Sequence, residues 1–87
     1  MQTHDIKILP CYFEDVAQLN KPFEVRIDDR NYSVGDIVNF HEFDGHLYTG
    51  RQTSIQISYV LRNIEKYGLH EGYCIFAWKD ILRSSLS

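Results

Sequence analysis

The chain has 87 residues, of which 44% are hydrophobic and 24% charged, and nine Lys and Arg against twelve Asp and Glu give a net charge of −3. This length predicts a single domain over residues 1–87, and the composition excludes a disordered or fibrous class. The acidic balance excludes nonspecific coating of nucleic acid, which needs many basic residues, but it permits a local basic cleft.

Targeting and redox signals are also absent from the sequence. The apolar runs are too short for a membrane helix, and the N-terminus lacks the layout of a secretory signal, so we expect a cytoplasmic protein without membrane contact. Cys11 and Cys74 have no C-x-x-C spacing, which favours small buried side chains in a reducing compartment. A single disulfide between them is the alternative.

The chain begins with a strand and a helix. Residues 4–9 alternate between apolar and polar side chains, which is typical of a strand. Pro10 suits the first turn of a helix, which we expect to extend to about Leu19, with Pro22 just beyond it as a stop.

A second strand is predicted over residues 23–28. Alternation would place one set of side chains in the core and the other on an exposed face, because neighbouring residues of a strand point to opposite sides. The expected core set is Phe23, Val25 and Ile27, and the expected exposed set is Glu24 and Arg26.

Two further strands are predicted in the middle of the chain, over residues 36–43 and 51–62. The pair Asp44-Gly45 between them is a strong hairpin signal, since such turns require positive φ. The longer strand alternates apolar and polar residues and should have one face in the core.

The C-terminal part contains one more strand. The two glycines within residues 63–72 indicate turns, with room for one helical turn. Residues 73–79 are apolar on both faces, which is typical of a central strand covered on both sides. Residues 81–87 are expected to form a flexible tail. The sequence thus predicts a mainly β, α+β fold with one or two short helices, arranged as a small, partly closed β-barrel because closure removes exposed strand edges.

Three charged residues at the start of the second strand form the candidate site. Lys21, Glu24 and Arg26 follow the spacing K-x-x-E-x-R, so a carboxylate would lie between two cations and the free donors of Arg26 could hold a phosphate, a carboxylate or a base edge. The simpler interpretation is an exposed salt bridge worth about 0–1 kcal/mol.

Other residues could extend this surface. Lys7, Arg30 and Arg51 could add positive charge, and Tyr48, beside a turn, is a candidate for stacking on a base. Tyr32 and Trp78 could also stack, although aromatic residues at such positions are more typical of a core.

The charge pattern resembles the signature G-x-K-x-x-E-x-R of the activating-signal-cointegrator-homology (ASCH) domains of the PUA-like superfamily, with Leu19 in place of the glycine. The whole chain is similar to a small bacterial and phage ASCH-like family catalogued as a domain of unknown function. The matching stretches are residues 4–10, 23–26, 29–30, 34–36, 42–44, 48–51, 59–61, 68–69 and 72–73.

This resemblance implies a PUA-like barrel with a cleft beside the helix. It also implies binding of RNA or a nucleotide, because ASCH and PUA-like domains are generally regarded as modules that bind RNA or modified nucleotides. Lys21, Glu24 and Arg26 would form the ligand site. The flanking contacts would come from Arg30, Tyr48 and Arg51.

Two other classes of function stay open. Some small ASCH proteins are amidohydrolases acting on acetylcytidine, and Lys21 matches their cleft lysine. Glu24 stands where those enzymes carry threonine, so a catalytic pair of Lys21 and Glu24 would use the carboxylate as general base for a water. The third class is a protein-interaction module of a bacterial or phage accessory protein, binding through a strand edge or a tyrosine-rich face.

Metal binding is the last possibility that the residues raise. His41, Glu42, Asp44 and His46 crowd the predicted hairpin, but their spacing matches no standard zinc pattern. We therefore expect no metal and no cofactor.

Overall fold

The computed structural model describes residues 1–85. These residues form seven strands, one α-helix and one short 3₁₀ helix. In chain order the elements are β1 (Thr3–Ile8), α1 (Pro10–Ala17), β2 (Phe23–Ile27), β3 (Ile37–Phe43), β4 (Tyr48–Gln56), β5 (Tyr59–Leu61), the 3₁₀ helix (Glu65–Tyr67), β6 (Tyr73–Ala77) and β7 (Ile81–Ser85).

The strands lie in two sheets. The first has the order β1-β3-β4-β7, with β1 parallel to β3 and the other pairs antiparallel. The second, β2-β6-β5, is antiparallel throughout. The predicted mainly β fold with a helix is confirmed, but the two sheets do not close into a barrel, so β1 and β2 are each the edge of their sheet.

The core lies between the two sheets and under α1. Phe13 and Val16 are buried because they share one face of the helix, as their i, i+3 spacing predicts. They join buried side chains from both sheets. These are Ile6, Ile8, Val38, Phe40, Ile55, Ile57, Cys74, Phe76 and Trp78, together with Tyr32 from a loop.

Helix α1 begins at Pro10 as predicted but ends at Ala17, two residues before the expected limit. Leu19 has φ +61°, and a residue in this left-handed conformation commonly ends a helix. The next two backbone N–H groups, of Asn20 and Lys21, then donate to the carbonyl of Asp15 at 2.8 and 3.0 Å. Within residues 1–85, no helix is long and apolar enough to cross a bilayer.

The predicted orientation of β2 is wrong. Phe23, Val25 and Ile27 are exposed, by 44%, 39% and 54%, whereas Glu24 is only 8% exposed. Glu24 lies opposite Phe76, whose side chain is in the core, so the charged face of β2 looks inward. Alternation shows which residues share a face, but the neighbouring strand decides which face is covered.

The strand predicted over residues 51–62 is divided between the two sheets. The N–H of Ile57 donates to the carbonyl of Asp36, just before β3 of the first sheet, at 2.9 Å. The N–H of the next residue, Ser58, donates to the carbonyl of Ala77 in β6 of the second sheet at 2.8 Å. The chain therefore changes sheets here. As a result, Ile57 is buried while Tyr59, on the same predicted face, is 61% exposed.

The C-terminal strands differ from the prediction in two respects. β6 is central in its sheet, but only its Cys74 face is in the core and its other face is partly exposed. Residues 81–85, expected to be part of a flexible tail, form β7 and pair with β4, where the hydroxyls of Thr53 and Ser84 are 2.5 Å apart. The rest of that predicted tail, residues 86–87, lies outside the described residues. Cys11 is exposed and Cys74 buried, and both are free thiols, which excludes the alternative of a disulfide.

Candidate functional site

A cleft of about 650 Å³ lies where the free edges of β1 and β2 face each other beside α1. Its lining comes from the end of β1, the start of α1, the loop after the helix, β2 and the loop that follows. The charged and aromatic members are Lys7, Tyr12, Lys21, Glu24, Arg26, Asp29, Arg30 and Tyr73.

The K-x-x-E-x-R residues meet inside this cleft. The ammonium of Lys21 donates to Glu24 Oε1 at 2.6 Å, and Arg26 Nε donates to Glu24 Oε2 at 3.2 Å. The three side chains are mostly shielded, with relative exposures of 19% for Lys21, 10% for Glu24 and 31% for Arg26. One carboxylate therefore holds two cations side by side, and this pairing is more buried than the surface salt bridge of the simpler interpretation.

The loop after α1 positions Lys21. Leu19 occupies a left-handed conformation, with φ +61°, which glycine adopts most readily. The ASCH signature that the sequence resembles has a glycine at this position, where this chain has Leu19. Beyond the turn, the ammonium of Lys21 lies 4.6 Å from the ring centroid of Tyr12, a cation–π contact that also fixes the lysine.

Two arginines span the gap between the sheets. Arg26 Nη2 donates to the backbone carbonyl of Lys7, and Arg30 Nη1 donates to that of Asp5 at 2.8 Å. Both carbonyls belong to β1, an edge strand that has no strand partner on this side among residues 1–85. The guanidinium groups thus satisfy two carbonyls of the open edge and connect β1 to β2 and to the loop that follows it.

The cleft is positive although the whole chain is acidic. Four basic side chains and two carboxylates line it, whereas the chain carries a net charge of −3. Apolar surface from Ile8, Leu9, Val25 and Ile27 borders the same space. A planar apolar group with an attached anion would match this combination of surfaces.

Arg51 does not lie in the cleft. Its guanidinium contacts Glu14 of α1, lies 3.5 Å from the buried carboxylate of Glu42, and covers the ring of Phe13 at 4.8 Å. Glu42 also accepts a hydrogen bond from the Thr49 hydroxyl at 2.6 Å. This cluster joins α1 to the hairpin between β3 and β4, so the geometry gives Arg51 a structural position.

Tyr48 also lies outside the lining of the cleft. It is 58% exposed and packs edge-on against Phe43, with the ring centroids 5.2 Å apart. A smaller hollow beside it contains Asp5 and His41. Hydrogen bonds from His41, at 2.8 Å, and from Asn39 lower the pKa of the Asp5 carboxyl.

The stretch 34–36, which is part of the resemblance, contains Asp36, whose side chain joins the N-terminal segment to the loop before β3. Asp36 accepts hydrogen bonds from the backbone N–H groups of Gln2 and Ser33 and contacts the ring of His4 at 2.8 Å. Burial alone would raise the pKa of Asp36, but these hydrogen bonds outweigh it and lower the pKa. The His4 ring in turn packs on Tyr32, with the centroids 4.7 Å apart.

Sequence reasoning missed two aromatic members of the cleft. Tyr12 lies nine positions before Lys21, and Tyr73 comes from the far end of the chain. One signal for Tyr12 was available in the sequence: it lies two residues after Pro10, in the first turn of the helix that borders the predicted cleft. Tyr32 and Trp78 are buried in the core, at 1% and 3% exposure, so they have no free face for stacking. In residues 1–85 no cluster of three His, Cys, Asp or Glu side chains could hold a metal.

Comparison with known proteins gives a family and one curated relative. A family model described as a domain of unknown function, DUF3850, matches residues 3–78. An uncharacterised 12.9 kDa protein in the GpA 3′ region of Escherichia phage P2 is 37% identical over 55 residues, which are 63% of this chain. The match spans 50% of the phage protein, about half its length. The predicted similarity to a domain of unknown function with phage members is thereby confirmed.

Proposed function

Since the chain belongs to the DUF3850 family, whose description assigns no function, we propose from the geometry of the cleft that it binds RNA or a nucleotide. The ligand would place a phosphate between Lys21 and Arg26 and a base against the apolar wall. We also propose that the fold is a PUA-like, ASCH-type barrel left open between β1 and β2, with the arginine side chains bridging the opening.

The observation that carries this proposal is the Lys21–Glu24–Arg26 triad. An arginine has five N–H donors. Nε of Arg26 donates to Glu24 and one Nη2 donor to the carbonyl of Lys7, which leaves three donors, among them the Nη1 pair, without a partner in residues 1–85 and open to a ligand. The ammonium of Lys21 likewise has donors beyond the one that Glu24 accepts. An anion entering the cleft would meet two cations whose positions are already fixed, so little ordering entropy is lost on binding.

The charge balance supports a small or single-stranded ligand over a duplex. A net charge of −3 opposes contact with a long row of phosphates, whereas a single nucleotide or a short loop needs only the local cations of the cleft. Tyr12 and Tyr73 supply aromatic surface in the cleft, and stacking on such a ring is worth roughly 1–3 kcal/mol per base.

The same contacts weigh against hydrolysis by Lys21. The side-chain nitrogen of Lys21 donates to Glu24 at 2.6 Å and lies 4.6 Å from the ring centroid of Tyr12, so its contacts within the protein already hold it in place as a binding group. Both carboxylate oxygens of Glu24 already accept from a cation, Oε1 from Lys21 and Oε2 from Arg26, so neither is uncommitted as a general base. Binding is therefore the function that the geometry supports best.

The test is direct binding of short single-stranded RNAs and of nucleotides, measured by fluorescence anisotropy and by thermal shift, with acetylcytidine in the panel and checked for deacetylation. The variant Lys21→Gln/Arg26→Gln removes both charges but keeps N–H donors for Glu24. We expect its affinity to fall at least about tenfold, since each hydrogen bond to a charged group contributes about 1.5–3 kcal/mol.

A matched control is Lys66→Gln/Lys79→Gln, which removes the same charge at two exposed positions outside the cleft. Affinity should change little in that variant. Equal losses in the two variants would show that binding follows bulk charge, and unchanged binding in the cleft variant would refute the site. Turnover of acetylcytidine that disappears in Lys21→Gln would replace binding by hydrolysis as the function.

A further inference from the structure

The outward face of the second sheet is apolar across all three of its strands. Register places Phe23, Ala77 and Tyr59 in one row and Val25, Ile75 and Leu61 in the next. The opposite face of the sheet carries Cys74 and Phe76 and forms part of the core. We call the outward set, completed by Ile27 beside Tyr73, the outer face.

The outer face is too exposed to be the margin of the core. Phe23 is 44% exposed, Val25 39%, Ile27 54% and Tyr59 61%, and the residues of β6 and Leu61 are partly exposed. Taking ~200 Å² for an aromatic side chain and somewhat less for an aliphatic one, the exposed area is roughly 500 Å². This is about the size of the largest apolar patch on a typical monomeric protein, and such a patch is often functional.

The chemistry of the outer face selects its partner. It contains no charged side chain, so it offers nothing to phosphates or lipid head groups. An uncharged apolar sheet face can pack against another of the same kind, and a two-fold axis places one patch against its own copy. Two such faces together would bury roughly 1,000 Å², the lower limit for a specific interface.

We propose that the outer face binds a second copy of this chain, forming a two-fold dimer in which the three-stranded sheets pack face to face. The inference does not depend on the proposed ligand. It does bring the second copy to the rim of the cleft, because Val25, Ile27 and Tyr73 belong to the outer face and also line the cleft.

The geometry identifies the central residue of the interface. Ile75 lies on the middle strand of the sheet and in the middle row of the outer face, between Val25 and Leu61. In a two-fold, face-to-face packing the central residues of the two copies lie nearest the axis and therefore nearest each other. A charge at this position should thus act on its own copy in the partner.

The experiment is sedimentation equilibrium of the purified chain over a wide range of concentrations. The wild type should show a reversible monomer–dimer equilibrium, and Ile75→Glu should weaken it at least tenfold. Val25→Glu, at an exposed edge position, is the second variant if Ile75→Glu fails to fold. Val34→Glu and Leu47→Glu, which change apolar residues that are 64% and 72% exposed elsewhere on the surface, should leave the equilibrium unchanged.

Mixing gives the sharper test. Ile75→Lys and Ile75→Glu should each be monomeric, and their equimolar mixture should form a heterodimer that weakens as salt is added. A wild type that is monomeric at every concentration would overturn the proposal. So would dimers that survive Ile75→Glu and Val25→Glu, or a mixture that does not associate.

Discussion

Replacing Glu24 by glutamine tests whether this carboxylate holds the two cations of the cleft in fixed positions. Glu24 accepts from Lys21 at 2.6 Å and from Arg26 at 3.2 Å, and its side chain is 10% exposed. Glutamine keeps the size of the side chain and one acceptor oxygen. Its amide group, however, would direct N–H donors at one of the two cations, which also has only donors to offer.

The expected loss follows from these contacts. A hydrogen bond to a charged group contributes about 1.5–3 kcal/mol when it is shielded from water. Since glutamine preserves one such contact in weaker form and Arg26 is partly solvated, we expect Glu24→Gln to lower the free energy of unfolding by about 2 kcal/mol.

Urea denaturation followed by circular dichroism measures this loss. For a small domain with a slope of about 1 kcal/mol/M, the midpoint should fall by about 2 M. Glu71→Gln is the matched control, because Glu71 is exposed and its side chain makes no hydrogen bond or ion pair with the residues that the structure describes. The control should stay within about 0.5 kcal/mol of wild type. A loss below that limit for Glu24→Gln would show that the triad is solvated and that Lys21 and Arg26 are not held in place.

Three further predictions concern the rest of the molecule. The pKa of Asp36 is lowered in the folded chain from its usual value of 3.8, so its contribution to stability is complete above that value and is lost as the pH falls through the folded pKa. Asp36→Asn should therefore lower the urea midpoint near neutral pH and make that midpoint decline less steeply in acid. An unchanged decline of the midpoint with pH would contradict this. Burial raises the pKa of the Cys74 thiol to about 11, so iodoacetamide at mildly alkaline pH should modify only the exposed Cys11 in the native chain, and mass spectrometry showing two labels without denaturant would refute it. Arg51→Met should lower the melting temperature, because it leaves the buried carboxylate of Glu42 without its cation, yet it should not reduce nucleotide affinity; a loss of affinity in the folded variant would return Arg51 to the ligand site.

Local patterns predicted those features that depend on neighbours in sequence. The start of α1 at Pro10, the β3–β4 hairpin at Asp44-Gly45 and the strand character of β2 each require only a few adjacent residues. The meeting of Lys21 with Glu24 could be predicted for the same reason, because the two residues are three positions apart and a loop leads directly into the strand.

Contacts between distant segments decided the rest. Alternation in β2 paired Phe23 with Val25 correctly, but only the pairing with β6 determined that Glu24 faces inward. The change of sheet at Ile57 and Ser58 depends on hydrogen bonds to Asp36 and Ala77, and residues 81–85 form a strand only because the edge of β4 is available.

The two arginines that were expected to flank the site, Arg30 and Arg51, also depend on contacts between distant segments. Arg30 reaches a carbonyl 25 residues away and stays beside the cleft, whereas Arg51 meets Glu14, 37 residues away, on the other side of α1. Sequence periodicity by itself determined which residues share a strand face or a helix face. Which of those faces is buried, and which charges meet, was decided only by tertiary packing, because those contacts join segments whose separation along the chain carries no local signal.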